Sequence, residues 1–504
     1  MPHADVIAFL SDPATHDGRM PERIETHGAL VFLLPDRVYK LKRDVTYSFM
    51  DFGTPQKRRH ACLREVALNR RTAPDLYLGT LPVVETAKGL TFGALDDHPD
   101  RTVETIVAMK RFENTLADIP PSQEELTELA ETVAAFHEAE PPLSGCGGST
   151  AMANIQEGNL AFLDSDGHVD TSLCEELGRF ARSILERGAR LIDRRAASGA
   201  VRHCHGDLHL ANVCRWQGHA VPFDCIEFNN AFAQIDTLYD LAFLLMDLDR
   251  TGHRDGASLV LNRYLELRPG EIDALALLPL YLSMRAQVRG KVGLAAADMN
   301  QEDAAADKRA EAVEFLARAL RYLQPSPPIL VAVGGPSGSG KSSLARRLSA
   351  RIGPSPGALV ARSDAIRKHL FGVEDLTDPL PQSGYSTAAS VATYAEMERR
   401  CAAALAAGHA AIADATFTHP ESRARMAPLA TAAGCRFTGF WLDLDLATAR
   451  QRVTDRRGDA SDATAAIVDA QFRTGWGAVD WVRIDATMPI DRQVDTCLAA
   501  LGIG

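Results

Sequence analysis

The spacing of apolar and polar residues changes character along the 504-residue chain. In residues 24–42 short apolar runs alternate with turn residues, which predicts strands. A helix is expected from about residue 57 to 71, with more strand-like pieces up to about residue 112. After about residue 121 the spacing becomes helical, and LTELAETVAAFHEAE is the clearest amphipathic stretch. The pattern therefore predicts a small β-rich lobe at about 1–112 and a larger helical lobe at about 113–324.

A proline-rich seam separates this pattern from a different one. The sequence QPSPP at 324–328 follows a long helical stretch, and its prolines stop the helix and stiffen a short spacer. From residue 329 onward, apolar strands alternate with a glycine loop and amphipathic helices, the order that specifies a parallel sheet covered on both faces. We expect a two-lobed α+β domain at 1–324, a linker at 325–328 and an α/β domain with a mainly parallel sheet at 329–504.

Composition narrows the class of protein. The chain has 54 Lys plus Arg against 66 Asp plus Glu, a net charge of 54 − 66 = −12, so only a local basic groove would bind nucleic acid. No apolar run approaches the roughly 18 residues of a membrane span, and the start lacks a signal-peptide pattern, which predicts a cytoplasmic location. The nine Cys include no C-x-x-C pair, so neither a disulfide framework nor a zinc knuckle is indicated.

The strongest motif is GPSGSGKS, which matches G-x-x-x-x-G-K-[ST] and lies between an apolar strand and an amphipathic helix. Glycines allow successive backbone N–H groups to converge on a phosphate, the lysine supplies a cation to the β/γ oxygens, and the last hydroxyl joins a magnesium shell. The predicted ATP and Mg²⁺ site consists of Gly335, Gly338, Ser339, Gly340, Lys341 and Ser342.

Charged residues follow the next strands of this domain. Asp364 and Arg367 come after the second strand, where Asp364 would accept the proton of an acceptor hydroxyl and Arg367 would hold a phosphate oxygen. The alternative is a helix-capping Asp beside a solvated Arg. Asp414 ends the strand AAIAD, where P-loop proteins place a second magnesium-associated carboxylate, and the alternative is again a cap.

A cluster of arginines precedes the flexible acidic turn GDASD at 458–462. Arg452, Arg456 and Arg457 suit a lid that closes on ATP and neutralises charge in the transition state, with Arg457 on the nucleotide. A solvated helix face is the competing interpretation. With DAIR, DAT and RRGDASDA in place, residues 329 to about 475 resemble the P-loop small-molecule and polynucleotide kinases related to zeta toxins. The resemblance implies that Asp364 is the acceptor base and Arg367 a phosphate clamp.

A second constellation lies in the first domain. The segment HCHGDLHLAN contains Asp207 and Asn212 at the spacing of the protein-kinase catalytic loop, and VPFDCIEF then supplies Asp224. Asp207 would orient or deprotonate an alcohol, while Asn212 and Asp224 would hold metal ions that bridge the transferred phosphate.

The upstream half of this domain offers the matching lysine and glutamate. Lys40 is on a predicted strand, where it would reach the α/β phosphates, and Glu65 is its expected helix partner. Lys42 shares the same strand face, so the choice between the two lysines stays open. Exposed strand lysines are the alternative.

Residues 24 to about 323 resemble an aminoglycoside-phosphotransferase-like kinase, and the whole chain resembles bacterial proteins that fuse such a domain to a P-loop kinase domain. No G-x-G-x-x-G precedes Lys40, and Gly206 replaces the Arg of the protein-kinase H-R-D triplet. These departures favour small hydroxylated acceptors over protein substrates.

We therefore expect an ATP-dependent kinase with two sites and no membrane partner. The sequence leaves the oligomeric state open. A nucleic-acid 5′-hydroxyl is an alternative acceptor for the second site. The rival function is a ligand-sensing kinase-like domain that is coupled to a regulatory P-loop ATPase.

Overall fold

The computed structural model describes residues 3–47, 50–297, 302–373, 375–376, 378–455 and 461–503. The chain divides into two compact units, the first with residues 1–152 and 192–244 and the second with residues 153–191 and 245–504. The proline stretch 325–328 lies inside the sequence of the second unit, and a domain division at that stretch stays a prediction.

The elements before this stretch are short strands followed by mostly long helices. The strands are β1 (Glu22–Glu25), β2 (Ala29–Leu33), β3 (Arg37–Lys42), β4 (Thr46–Tyr47), β5 (Met50–Asp51), β6 (Tyr77–Thr86), β7 (Gly89–Phe92), β8 (Thr102–Lys110), β9 (Val201–His203), β10 (Val213–Trp216), β11 (His219–Pro222) and β12 (Gln234–Asp236). The helices are α1 (His3–Ser11), α2 (Pro55–Asn69), α3 (Gln123–Ala139), α4 (Ser149–Asp166), α5 (Thr171–Ala197), α6 (Asn230–Ala233), α7 (Thr237–Arg250), α8 (Arg254–Leu267), α9 (Leu278–Ala297) and α10 (Glu302–Leu323).

The elements after the prolines alternate. The strands are β13 (Ile329–Gly334), β14 (Leu359–Arg362), β15 (Ala411–Asp414), β16 (Arg436–Asp443) and β17 (Val482–Asp485). The helices are α11 (Lys341–Ser349), α12 (Ser363–Leu370), α13 (Thr387–Ala406), α14 (Pro420–Ala424), α15 (Met426–Ala432), α16 (Leu446–Asp455), α17 (Ala465–Thr474) and α18 (Ile490–Leu501). Short 3-10 helices cover Pro13–His16, Leu210–Asn212, Pro269–Leu277 and Gln382–Tyr385. Of the described helices, none is long and apolar enough to span a bilayer.

The first unit contains an antiparallel sheet in the order β1-β2-β3-β8-β6-β7. Helix α2 starts with Thr54 as its N-cap and Pro55 in its first turn, and it buries Cys62 and Val66 against Val107 of β8. Because α2 packs directly on the sheet, its polar residues can meet those of β3. The α+β fold class predicted for this part of the chain is confirmed, and the bounds of the small lobe stay a prediction.

The second unit contains a sheet in the order β14-β15-β13-β16-β17, with every neighbouring pair parallel. Strand β13 is buried along its whole length, as expected for a central strand that is covered on both faces. The predicted parallel α/β fold is therefore confirmed. The carboxyl ends of β13, β14 and β15 lie at one edge of this sheet, where doubly wound folds bind ligands.

Helix α8 covers the edge strand β14 within the second unit. The side chain of Asn262 donates to the carbonyl of Ala358 (3.1 Å) and accepts from the backbone N–H of Val360 (2.6 Å). This one side-chain amide therefore makes the kind of hydrogen bonds at the start of β14 that the backbone of a neighbouring strand would make. One turn earlier, the buried hydroxyls of Ser258 and Ser349 are 2.9 Å apart. Helix α8 is thus part of the packing of the P-loop sheet.

Candidate active sites

In the first unit, strand β3 and helix α2 bring a lysine and a glutamate together. Lys40 Nζ lies 2.8 Å from Glu65 Oε1 and 2.5 Å from Asp224 Oδ1, although 184 positions separate Lys40 from Asp224 in the sequence. Lys42 Nζ lies 2.5 Å from Glu65 Oε2 and 2.5 Å from Glu227 Oε1. Both lysines of the strand therefore hold the same carboxylate, but only Lys40 reaches the predicted metal-binding Asp224.

The ion pairs around Glu65 are buried, and their charges shift each other's pKa values. Glu65 has no exposed side-chain surface, and Lys42 is only 3% exposed. Burial by itself would raise the pKa of Glu65, but Lys40 and Lys42 outweigh it and hold that pKa at about 2. Burial opposes the charge of Lys40 as well, but Asp224 and Glu65 raise its pKa well above the usual lysine value. Glu65 and Lys40 are thus ionised at neutral pH, whereas burial raises the pKa of Glu227.

The segment that carries Asp224 is anchored to helix α2 and strand β6. Asp224 has a left-handed φ of 64°, an uncommon conformation for a residue with a side chain. Its backbone N–H donates to the Tyr77 hydroxyl (3.2 Å), and the next N–H, of Cys225, donates to Asn69 Oδ1 (2.8 Å). These bonds hold the turn that points the Asp224 carboxylate at Lys40.

The residues of the HGD motif and Asn212 also lie close together. Asn212 Nδ2 donates to Asp207 Oδ2 (2.8 Å) and to the Asp207 carbonyl (2.9 Å). Both oxygens of buried Asp240 accept backbone N–H groups of this loop, from His205 (3.1 Å) and Gly206 (2.8 Å). Gly206 has a φ of 84°, and a Cβ there would lie 2.9 Å from the Phe232 carbonyl, which explains a glycine inside the motif.

In the second unit, the phosphate loop joins β13 to α11. Gly338 and Gly340 have φ values of 83° and 90°, so the loop uses the left-handed region that glycine adopts without strain. Lys341 Nζ donates to the Pro336 carbonyl at 3.0 Å. The backbone N–H of Ser337 donates to Gln471 Oε1 (2.9 Å), and Gln471 Nε2 donates to the Ser337 hydroxyl (3.1 Å). Helix α17 is thereby fastened to the loop.

Asp414 lies beside this loop at the end of β15. It is 3% exposed, and its Oδ2 atom has no hydrogen-bond partner among the described residues. Burial raises the pKa of Asp414, although Lys341, Arg362 and a hydrogen bond with Ser342 oppose the rise. Asp414 Oδ2 lies 4.0 Å from Arg362 Nε. A buried carboxylate next to the loop hydroxyl fits a magnesium site, and Ser342 and Asp414 would be its protein ligands. Asp414 is no helix cap, because the N-cap of α14 is His419.

Asp364 and Arg367 lie in helix α12, which starts where β14 ends. Asp364 is half-buried in the first turn, and the N-cap is Arg362, so the capping alternative for Asp364 does not hold. Arg367 donates to the Gly384 carbonyl (2.8 Å) and the Ser390 hydroxyl (3.3 Å). The structure therefore places Arg367 against the 3-10 helix at Gln382–Tyr385 and the first turn of α13. Its role as a phosphate clamp stays a prediction.

The predicted lid is described only in part. Arg452 lies in α16 and donates to the Ala486 carbonyl (3.0 Å), while Arg456 and Arg457 lie outside the described residues. Just after them, Asp462 accepts from Lys368 Nζ (3.0 Å), the Leu380 N–H (3.0 Å) and the Tyr385 hydroxyl (2.5 Å). Asp462, which follows the predicted lid, is thus held by Lys368 of α12 and by residues 380–385.

Sequence reasoning missed three residues at these sites, Glu227, Gln471 and Glu266, and left the role of Lys42 open. Glu227 and Lys42 form the second buried pair of the first site, Gln471 holds the phosphate loop, and Glu266 of α8 lies 3.4 Å from Arg362 beside Asp414. For the pair of Lys42 and Glu227, the sequence indicated only that Lys40 and Lys42 share one face of a strand. Gln471 and Glu266 come from helices with no motif.

These sites define a class: a kinase-like region joined to a P-loop domain, both with the residues of phosphotransferases. Residues 330–474 match the family model described as an AAA domain. The chain is 31% identical over 487 residues to the uncharacterized protein Rv2004c of Mycobacterium tuberculosis, an alignment that covers 93% of both chains, and equally to Mb2027c of Mycobacterium bovis. The chain belongs to the family of these mycobacterial proteins.

Solved structures of kinases are similar to portions of the chain. A choline/ethanolamine kinase family protein from Mesorhizobium loti is 14% identical, with a TM-score of 0.36, over 64% of this chain and 99% of its own. A gluconokinase from Sinorhizobium meliloti is 22% identical, with a TM-score of 0.25, over 36% of this chain and 94% of its own.

Proposed function

We propose that the protein is an ATP-dependent phosphotransferase with two sites that pass the γ-phosphoryl group of ATP to hydroxyl acceptors. One observation supports this proposal in both units: a lysine and a carboxylate that are distant in the sequence lie close together. We assign the lysine to the phosphates and the carboxylate to a metal ion. In the first unit these residues are Lys40 and Asp224, and in the second they are Lys341 and Asp414.

In the first site, each residue has a separate task. Lys40, fixed by Glu65, binds the α/β phosphates of ATP, and Asn212 and Asp224 are the residues that would hold Mg²⁺. Asp207, which Asn212 orients, accepts the proton of the acceptor hydroxyl as the acceptor oxygen bonds to the γ-phosphorus and the bond from that phosphorus to the departing ADP breaks. Bound Mg²⁺ supplies charge neutralisation at the phosphate oxygens.

In the second site, the loop from Gly335 to Ser342 cradles the phosphates with backbone N–H groups, and Lys341 neutralises the β/γ oxygens. Asp364, at the carboxyl end of β14, accepts the acceptor proton, and Arg367 binds an oxygen of the acceptor or of the moving phosphoryl group. Arg452, Arg456 and Arg457 are assigned to the lid.

The acceptors are small hydroxylated molecules. The net charge of −12 disfavours a long nucleic-acid surface, and the Gly206 loop lacks the arginine that protein kinases use in activation-loop control. A nucleic-acid 5′-hydroxyl remains the second acceptor class for the P-loop site. If this acceptor class is correct, the affinity of the protein for single-stranded nucleic acid should depend steeply on salt concentration.

Transfer from γ-labelled ATP with magnesium to a panel of aminoglycosides, sugars, nucleosides and 5′-hydroxyl oligonucleotides tests the proposal. The variants are Asp207→Asn and Lys341→Ala, and their matched controls are Asp491→Asn and Lys88→Ala at exposed positions. We expect each active-site variant to abolish a different labelled product and each control to leave both products unchanged.

The proposal would be contradicted if the protein released only free phosphate. In that case no acceptor would raise the rate of release, and only Lys341→Ala would abolish it. That outcome would support the rival function, in which the first site senses a ligand and the P-loop site hydrolyses ATP as a switch.

A further inference from the structure

Lys42 is the cation of the first site that the proposed chemistry does not use. Its Nζ is shared between Glu65 and Glu227, each 2.5 Å away, and lies 5.4 Å from the centre of the Phe52 ring. Its side chain is 3% exposed, whereas that of Lys40 is 14% exposed. Lys42 is therefore enclosed by its partners, and Lys40 is the lysine of this strand that is left for phosphates.

The second partner of Lys42, Glu227, connects Lys42 to the turn that carries Asp224. Glu227 comes three residues after Asp224, on the far side of the left-handed turn at Asp224. The near side of that turn is held by Tyr77 and Asn69. The pair of Lys42 and Glu227 holds the other side and fixes it to strand β3, the strand that carries Lys40.

We propose that Lys42 and Glu227 form a positioning pair that holds Asp224 in register with Lys40, so that the phosphate and metal ligands of the first site are already assembled before nucleotide binds. The inference rests on the proposed function of this site. Because Lys42 also holds the second oxygen of Glu65, the same pair keeps helix α2 from moving away from the sheet. Such a site needs no activating movement of that helix, in keeping with the absence of the protein-kinase Arg at Gly206.

The test uses the full chain with Lys341→Ala, which removes phosphate binding at the second site. Changing Lys42 alone would leave two buried carboxylates facing each other, so the variant of choice is the neutral pair Lys42→Met with Glu227→Gln. The matched control is Arg58→Met with Glu104→Gln, which neutralises another buried ion pair (2.6 Å) between α2 and the same sheet, away from Asp224. Circular dichroism establishes that both double variants fold.

Calorimetry then compares ATP affinity with and without Mg²⁺. The Mg²⁺ effect is the factor by which Mg²⁺ raises ATP affinity. A positioning role predicts that this factor is about tenfold smaller in the Lys42/Glu227 double variant, the usual effect of removing support from a metal ligand. The Arg58/Glu104 control should keep that factor. A merely structural pair would weaken binding equally with and without Mg²⁺, so an unchanged Mg²⁺ effect in the folded Lys42/Glu227 variant would overturn the inference.

Amide hydrogen exchange of residues 223–228, measured without nucleotide, separates this inference from the proposed function. Faster exchange in the Lys42/Glu227 variant than in the control supports the positioning pair, and equal exchange overturns it. Absence of any ATP binding at the first site in the Lys341→Ala protein would instead refute the proposed function of that site.

Discussion

Replacement of Gly338 by alanine tests the packing of the phosphate loop. A Cβ at this position would lie 2.6 Å from the carbonyl oxygen of Ala449 and 3.0 Å from Val453 Cγ2, both in helix α16. The φ of 83° costs an alanine about 1–2 kcal/mol, and forcing a backbone carbonyl aside costs about 1–3 kcal/mol more. Gly338→Ala should therefore destabilise the second unit by about 2–5 kcal/mol, which a domain of ordinary stability survives.

The matched control is Gly340→Ala in the same loop. Gly340 has a φ of 90°, but no atom lies within 4 Å of a Cβ built there, so this variant incurs only the conformational cost of about 1–2 kcal/mol. Denaturant unfolding followed by circular dichroism measures both variants, and calorimetry follows the ATP affinity that depends on Lys341. Equal losses of stability in the two variants would refute the contact between the loop and α16.

Three further changes test separate features of the second unit. Burial lowers the pKa of His409 to about 4, so the unfolding free energy is at its full value above pH 6.5 and falls as the pH drops toward 4. In urea unfolding, His409→Leu should remove about 2 kcal/mol of the stability that the native protein loses between pH 7 and 5. The same pH dependence in the variant and the native protein would contradict this reasoning. Gln471→Ala removes two hydrogen bonds to Ser337 and should weaken Lys341-dependent ATP binding by roughly fivefold in calorimetry, whereas tighter binding would show that Gln471 blocks the loop. Asn262→Ala should destabilise the unit by about 1–3 kcal/mol in denaturant unfolding, and a neutral effect would refute its bridge to β14.

The parts of the fold with a periodic pattern were predictable from the sequence. The parallel sheet followed from the alternation of apolar strands with helices, and the phosphate loop from one contiguous motif. Motif spacing also singled out Asp207 and Asn212 as residues of one site, and they lie five positions apart on a single loop. In each case, the interacting residues are close in the sequence or repeat with a fixed period.

Residues whose role depends on tertiary packing were not predictable. Lys40 and Lys42 are indistinguishable by strand periodicity, since both side chains project from the same face. Their different roles arise from Asp224 and Glu227, which reach them only after the chain has folded over 184 and 185 residues, respectively. Gln471 gave no signal because a single glutamine in an amphipathic helix is usually solvated.

The bridge from Asn262 to β14 also bears on self-association. An uncovered edge strand exposes unpaired N–H and C=O groups, which invite another copy of the chain to add a strand. Helix α8 occupies that edge, and it precedes the proline stretch at 325–328 that marks the seam in the sequence. A fragment starting at Ile329 would keep the whole phosphate loop yet lose this cover, and we expect it to aggregate by strand pairing unless residues 254–267 are retained.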